Sequence, residues 1–200
     1  MDGRFLAWGR AVKARRAARC APVPPAAIWL FTDVVRAPAP LAAVRALAPG
    51  LGGVVLRQPD AAGRARLCAL LAPICRARRL ALSIAGDARL ARRFHAGLHL
   101  SRGRRERGAE WVRFLTSSAH DRCELVRCRR AGVALAFLSP LFASASHPGT
   151  PGLRPCRWSA LARHAGVVVA ALGGIDAACL PAIPRDAAAL GAIGALRGAG

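Results

Sequence analysis

Eight short apolar runs alternate with segments of helical period and predict a compact α/β chain, a (β/α)8 TIM barrel with an extra basic helix at its amino terminus. The 200 residues lie at the lower end of the length range for such a barrel, and a hydrophobic content of 54% supplies a sizeable core. Buried parallel strands read as continuous apolar runs, and these do. The candidate strands are 28–32, 53–56, 80–84, 97–100, 112–116, 133–138, 167–172 and 191–193.

The amino-terminal segment differs in character from the rest of the chain. Residues 1–20 place Phe5 and Trp8 among arginines, which predicts a basic amphipathic helix, and the proline-rich stretch 21–27 separates it from a barrel domain at 28–200. The segment lacks the continuous apolar region of a secretory signal. We expect this helix to cover an end or a flank of the barrel, and a targeting or membrane-surface role stays open.

Segments of helical period lie between the candidate strands. The connection at 101–110 is short and basic, so we expect the helix between the fourth and fifth strands to be reduced or missing. The other helical segments are 41–47, 63–78, 88–95, 121–130, 159–164 and 177–180.

Charge and cysteine content limit the function classes. The net charge is +21 and is carried almost entirely by arginine, with Lys13 the only lysine. The arginines are scattered, and no zinc finger or RNA-binding module accompanies them, so we expect no specific nucleic-acid partner. The seven cysteines have irregular spacing, which favours reduced thiols and a cytoplasmic protein, and no apolar stretch is long enough to cross a membrane.

The carboxyl ends of the strands are where such barrels carry their chemistry. Nearly every candidate strand carries or is followed by a hydroxyl, a charged group, an imidazole or a glycine near this end, and a purely structural barrel has no need of that concentration. These residues include Thr32, Asp33, Arg57, Gln58, Asp87, His99, Ser118, His120, Ser139, Ser144, Ser146, His147, Gly173, Gly174 and Gly194.

Glycines follow the seventh and eighth strands, where barrels of this class commonly bind phosphate. Backbone N–H groups at Gly173, Gly174 and Gly194 could approach an anion closely, although a simple turn explains each glycine equally well.

The loop after the sixth strand is rich in small hydroxyl residues. Ser144 and Ser146 could donate to phosphate oxygens, and His147 could add positive charge. A polar surface loop is the alternative reading.

Six stretches, in order along the chain, resemble motifs of the thiamine phosphate synthase and thiazole tautomerase superfamily. IWLFTD at 28–33 is similar to the opening YLITD strand of the synthases. In the same way VLR at 55–57 resembles QLR, AGLHL at 96–100 resembles DGVHLG, SSAH at 117–120 resembles GVSVH, SPLFASASH at 139–147 resembles GPVFPTxTK, and ALGGI at 171–175 resembles AIGGI.

The resemblance implies a transferase that couples a hydroxymethylpyrimidine diphosphate to a thiazole phosphate in thiamine biosynthesis, with Mg²⁺ helping diphosphate to leave. Small phosphorylated pyrimidine and thiazole substrates are the implied partners, with no membrane partner, and a homo-oligomer stays open. By position, the resemblance implies diphosphate contacts for Arg57, Ser118, Ser144 and Ser146, and a thiazole phosphate cradle at Gly173, Gly174 and Gly194. His99, His120 and His147 are the candidate catalytic residues, and Asp87 is the candidate metal ligand. A hydrogen-bonded structural role is the alternative for His99 and His120.

The chain departs from the family pattern at several charged positions. The ND pair after the third strand aligns with Ala85 and Gly86, which leaves Asp87 one place late, and the second magnesium aspartate has no counterpart at 101–104. The guanidinium of Arg102, Arg104 or Arg105 could take over the metal's charge. A thiazole tautomerase-like isomerase and a non-catalytic barrel that binds phosphorylated ligands are the alternative functions.

Overall fold

Eight parallel strands close into a barrel, as the sequence predicts. In this computed structural model, which describes residues 1–18, 26–33, 39–143, 149, 151–193 and 196, each strand pairs with the next and β8 pairs with β1. The strands are β1 Ile28–Phe31, β2 Gly52–Leu56, β3 Ala81–Ala85, β4 Gly97–Leu100, β5 Leu115–Ala119, β6 Leu135–Leu138, β7 Val169–Leu172 and β8 Ala189–Ala192.

Four strands begin two or three residues away from their predicted starts. β6 and β7 each begin two residues later than predicted. β5 begins three residues later than the apolar run suggests and includes Ser117 and Ser118. Strand pairing accommodates these serines because the buried Ser117 hydroxyl is hydrogen-bonded, with Gly103 N–H donating to it over 2.9 Å. β8 begins two residues earlier than predicted, in small residues that pair with β7.

The helices mostly follow the predicted pattern. The connection between β4 and β5 contains only a 3₁₀ turn at Ala109–Trp111, which confirms the reduced helix expected there. The segment predicted as helical at 177–180 forms instead a 3₁₀ turn at Leu180–Ala182, where Pro181 removes a backbone donor. The helices are α1 Gly3–Ala18, α2 Pro40–Arg45, α3 Ala61–Ala77, α4 Ala88–Arg93, α5 Arg122–Arg130 and α6 Arg154–Arg163.

Helix α1 packs beside the amino ends of β1 and β2. Phe5 and Val12 are buried, and a Cβ at Gly9 would lie 2.8 Å from Ile28 Cδ1, so a larger residue would separate the helix from the barrel. Lys13 Nζ donates to Gly50 O over 2.9 Å. The helix therefore packs against the barrel where β1 and β2 begin. None of the helices within the described ranges is long and apolar enough to span a membrane.

Residues of the predicted linker fall into two groups. Residues 19–25 lie outside the described part of the chain. Ala26 and Ala27 are buried, and Ala27 already takes part in the barrel, with its N–H donating to Leu51 O and its carbonyl accepting from Leu190 N–H.

Aromatic rings fill the barrel interior toward its amino end. The rings of Trp29 and Phe137 meet edge to face at 5.6 Å, and Trp29 also contacts Phe114, which lies one residue before β5. Rings from strands that are not neighbours meet only inside the barrel. A Cβ at Gly53 would lie 2.7 Å from the Trp29 ring, so glycine there makes room for the indole. The filled floor leaves the carboxyl end of the barrel as the place for a ligand.

Candidate active site

His99 stands inside the barrel, above the aromatic floor. Its Nδ1 lies 2.9 Å from Thr116 Oγ1, which in turn lies 2.8 Å from Ser83 Oγ, and all three side chains are buried. The rings of Phe31 and Phe137 contact the imidazole at 5.6 and 5.9 Å. Burial, and after it the positive charge of Arg57, lowers the pKa of His99 from 6.5 to about 3. The imidazole is therefore neutral near pH 7.

The three-residue network also orients the ring. Nδ1 of His99 is held by Thr116, so Nε2 is the ring nitrogen that remains for a ligand. Thr116 has one hydroxyl proton and two partners, so it donates to one and accepts from the other. The proton on His99 is thereby linked to the direction in which this hydroxyl points.

Arg57 is held at the mouth of the barrel through its backbone. The buried hydroxyl of Thr32 accepts from Arg57 N–H at 2.8 Å and donates to Arg57 O at 3.2 Å. The guanidinium itself is exposed, yet its charge acts on His99. A fixed backbone with a free cationic side chain suits the binding of a phosphorylated ligand.

Ser118 lies two residues beyond Thr116 on β5, so both side chains point to the same face of the strand. Its Oγ accepts from Arg102 N–H at 3.3 Å, and the side chain is half-buried. No described residue accepts the hydroxyl proton of Ser118.

His120 directly follows β5 and is paired with a buried carboxylate. Glu124 Oε2 accepts from the His120 backbone N–H at 2.8 Å and lies 2.9 Å from His120 Nδ1. Nδ1 of His120 is thus occupied by the carboxylate, and Nε2 is the ring nitrogen that remains for a ligand. Arg102 and Arg127 also approach Glu124 Oε1, at 3.6 and 3.4 Å. The pair has the arrangement of an oriented acid–base group.

Asp87 is the N-cap of α4, because one of its oxygens accepts from Leu90 N–H at 2.8 Å. Glu106 is its electrostatic neighbour: burial and then the negative charge of Asp87 raise the pKa of Glu106, while Arg64 opposes that rise. Arg64 donates to the carbonyls of Ala85 and Gly86 at 3.1 and 3.0 Å. Two carboxylates and one guanidinium therefore share the carboxyl end of β3.

The glycine pair after β7 packs closely against the loop after β6. Gly173 and Gly174 have φ values of +94° and +65°, and a Cβ at Gly173 would lie 2.8 Å from Pro140 Cα. Leu141 N–H donates to Leu172 O and Phe142 N–H to Gly173 O, so the two loops are joined. No described residue accepts a hydrogen bond from the N–H of either glycine. The pair is required for packing, and its two N–H groups have no acceptor among the described residues.

The predicted site residues fall into four sets. Arg57, His99 and Ser118 lie on or next to inward positions of β2, β4 and β5, whereas His120 and Asp87 follow β5 and β3 at the same end of the barrel. Gly173 and Gly174 follow β7 at that end. The predicted residues Ser144, Ser146, His147 and Gly194 lie outside the described residues.

Sequence reasoning missed the residues that support this set. Ser83 and Thr116 were hidden inside apolar strands, where only their polarity distinguishes them. Glu124 could have been found from its place in the first turn of a helix, four residues after a histidine. Glu106 lies in a basic segment that gave no such signal.

Known proteins support the family that the motifs suggest. A family model described as thiamine monophosphate synthase matches residues 32–194. A solved structure of thiamine phosphate pyrophosphorylase from Pyrococcus furiosus is similar with a TM-score of 0.73 and 15% identity, over 86% of this chain and 88% of that one.

A second structure, described as native KDPGal, is similar with a TM-score of 0.54 and 14% identity, over 82% of this chain and 81% of that one. No curated protein sequence matches the chain. These similarities to solved structures show the fold, and the family model also shows the family. Because it covers most of the sequence, the chain belongs to the thiamine monophosphate synthase family.

Proposed function

We propose that this protein is a transferase that joins a hydroxymethylpyrimidine diphosphate to a thiazole phosphate and releases diphosphate. The observation that carries the proposal is the buried His99, held by Thr116 inside the barrel, with the exposed Arg57 side chain at the same end. A cytoplasmic location accompanies the proposal, and it is supported by the free cysteines, since every cysteine in the described part of the chain is unpaired.

The departing diphosphate would meet Arg57 and the Ser118 hydroxyl. When the bond between the pyrimidine methylene carbon and the diphosphate oxygen breaks, negative charge grows on the leaving oxygens. A guanidinium and a hydroxyl already in position stabilise that charge without reorganising. By position in the family motif, Ser144, Ser146 and His147 would complete the contacts, and Gly173, Gly174 and Gly194 would hold the thiazole phosphate through N–H groups.

His99 would hold the pyrimidine through Nε2. A positive charge develops on the pyrimidine as diphosphate leaves, and a protonated imidazole beside it would raise the barrier by repulsion. The low pKa of His99 keeps the ring neutral, so it can accept or donate one hydrogen bond without that repulsion. Phe31 and Phe137 fix the ring plane from two sides.

The magnesium ion that the family implies would be held by Asp87 and Glu106. Mg²⁺ commonly binds through one or two carboxylates together with substrate phosphates, and no group of three or more potential metal ligands occurs among the described residues. When bound, the ion would neutralise charge on the diphosphate. Asp87 keeps its cap to Leu90 throughout, which fixes the carboxylate.

A thiazole tautomerase-like isomerase is the second candidate, and the His120–Glu124 pair favours it. An isomerisation needs a base that takes a proton from one ring position and returns it to another. His120 Nε2 can do this while Glu124 holds Nδ1 and stabilises the charged ring.

The test is a coupling assay with both substrates, in Mg²⁺ and in EDTA, with thiamine phosphate detected directly. We expect product in Mg²⁺, a large loss in EDTA, and a similar loss in the variants Asp87→Asn and Glu106→Gln. Asparagine caps helices as well as aspartate does, so Asp87→Asn removes the charge and keeps the cap.

Each other outcome points to a different reading. Full activity in EDTA would favour guanidinium charge from Arg104 or Arg105 in place of the metal. Thiazole phosphate binding without product, together with isomerisation that Glu124→Gln slows, would favour the second candidate. Binding with neither reaction would leave a non-catalytic barrel.

A further inference from the structure

An open groove of about 940 Å³ lies on the outside of the barrel, between α4 and the segment 111–113. Ala96 in its wall directly precedes β4, and Arg113 lies just before β5, so the groove is near the amino ends of these strands. The candidate active site is at their carboxyl ends. The groove is therefore separate from it, and we name it the arginine groove. It is lined chiefly by Arg89, Arg92, Arg93, His95, Trp111 and Arg113.

No carboxylate in the described part of the chain pairs with the positive charge of the arginine groove. None of its four arginines forms an ion pair with another described residue, and no described carboxylate lines it. The nearest acid in sequence, Glu110, is exposed beside Trp111. Arg93 lies over the ring of Phe94 at 5.7 Å, which leaves its charge without a carboxylate partner. Guanidinium groups around one concavity attract an anion, and phosphate is the group they match best by planar, bidentate contacts.

Trp111 sets this groove apart from the other basic surfaces. Its side chain is 69% exposed, whereas Trp29 and Trp158 are fully buried and the other large exposed hydrophobic residue in the described part is Leu70 at 49%. Such exposure of an indole costs hydrophobic stabilisation unless a ligand covers it. An indole flanked by guanidinium groups is a platform on which a heteroaromatic base can stack.

We propose that the arginine groove binds a nucleotide, with the base stacked on Trp111 and the phosphates held by Arg92 and Arg113. The volume is of the size that small-molecule sites have. Charge alone would take any anion, and the indole alone would take any flat apolar group. Their combination in one groove selects a phosphorylated heteroaromatic compound. Such a compound could be a free nucleotide or one unit of a single strand, and the experiment separates the two.

The experiment titrates the whole chain, at fixed ionic strength, with ADP, with pyrophosphate and with a single-stranded hexathymidine. Binding is followed by calorimetry and by quenching of tryptophan fluorescence. We expect ADP to bind more tightly than pyrophosphate and to quench Trp111. Trp111→Ala should weaken ADP about tenfold, the scale of one base stacked on an aromatic ring, and leave pyrophosphate unchanged.

Matched variants separate a built site from general charge. Arg92→Ala with Arg113→Ala should weaken ADP strongly. Arg10→Ala with Arg15→Ala removes the same charge from the exposed face of α1 and should change little. Equal losses in the two double variants would overturn the proposal, and so would ADP binding that Trp111→Ala does not change. Tight hexathymidine binding with weak ADP binding would assign the groove to single strands.

This site stands independently of the proposed transferase. ADP could also enter the active site, where Arg57→Ala would weaken it. Quenching that survives Arg57→Ala therefore belongs to the arginine groove. The groove variants should retain coupling activity, because none of the substituted residues lies at the carboxyl ends of the strands. The binding titrations test the proposal for the arginine groove, and the coupling assay tests the proposed transferase, so either proposal can fail without the other.

Discussion

Two sectors of the barrel interior, formed by different strands, differ in chemistry. On β3 and β4 the inward residues change from Ala81 and Gly97 to Ser83 and His99 over two positions toward the carboxyl end. In the same way Phe114, just before β5, is followed two positions later by Thr116. On β1 and β6 the inward positions stay apolar, with Phe31 and Phe137 at the level of His99. The apolar sector supplies burial, and the polar sector survives that burial because its three side chains bond to one another.

The difference teaches how a folded barrel can present a neutral imidazole. A histidine among phenyl rings loses its charge through desolvation, and a histidine with a hydroxyl partner keeps a fixed orientation. His99 has the phenyl ring of Phe31 from the apolar sector and the hydroxyl of Thr116 from the polar sector. Substitutions in the apolar sector should therefore mainly lower the free energy of unfolding. Substitutions in the polar sector should mainly lower the activity of the candidate site.

The largest expected effect is on the apolar sector. Trp29→Ala should lower the free energy of unfolding by about 3–5 kcal/mol, because a fully buried indole leaves a cavity among Phe114 and Phe137. Trp111→Ala is the matched control, since this tryptophan is mostly exposed and should change stability little. Denaturant titration measures both, and comparable losses would contradict the assignment of Trp29 to the structural floor.

The second effect is on the mouth of the site. Arg57→Ala should reduce kcat/KM for the coupling reaction by about 100-fold, the scale of one lost electrostatic contact to a developing charge. Arg66→Ala removes an exposed guanidinium from the outer face of α3 and serves as control. Steady-state kinetics of both variants decides the question, and equal activities would separate Arg57 from the diphosphate.

Much of this contrast could be predicted from the sequence, and part could not. The period of apolar runs predicts the strands because parallel strands are buried on both faces, and Arg57 and His99 follow from the family motifs. The partners of His99 do not, because a serine and a threonine in different strands give no local signal that they meet. The carboxyl end of β5 was also missed. The strand continues through two serines because distant residues such as Gly103 form hydrogen bonds with them, and the local sequence gives no sign of this.

The third effect tests the origin of the neutral imidazole. The pKa of His99 is lowered to about 3 in the folded chain, so below pH 6.5 the unfolded chain binds the extra proton first. The titration of His99 therefore leaves the free energy of unfolding unaffected above pH 6.5. As pH falls from 6.5 toward 3, the free energy of unfolding decreases, by at most about 1.4 kcal/mol per pH unit. Stability measured from pH 7 to 4 should fall more steeply for the wild type than for His99→Gln. Parallel curves would mean that His99 does not titrate as a buried group.

The smallest effect is on the hydrogen bonds that join the polar sector. Thr116→Val keeps the shape of the side chain and removes the hydroxyl that links Ser83 to His99. We expect the free energy of unfolding to fall by about 1–2 kcal/mol, because two buried polar groups lose a partner. The imidazole also loses the contact that orients Nε2, so kcat should fall while KM for thiazole phosphate stays unchanged. Thr116→Ser restores a hydroxyl at the same place and should recover kcat more fully than stability, because it leaves out a buried methyl group. If Thr116→Val kept full kcat, the polar sector would serve only to satisfy buried groups, and His99 would be positioned by Phe31 and Phe137 alone.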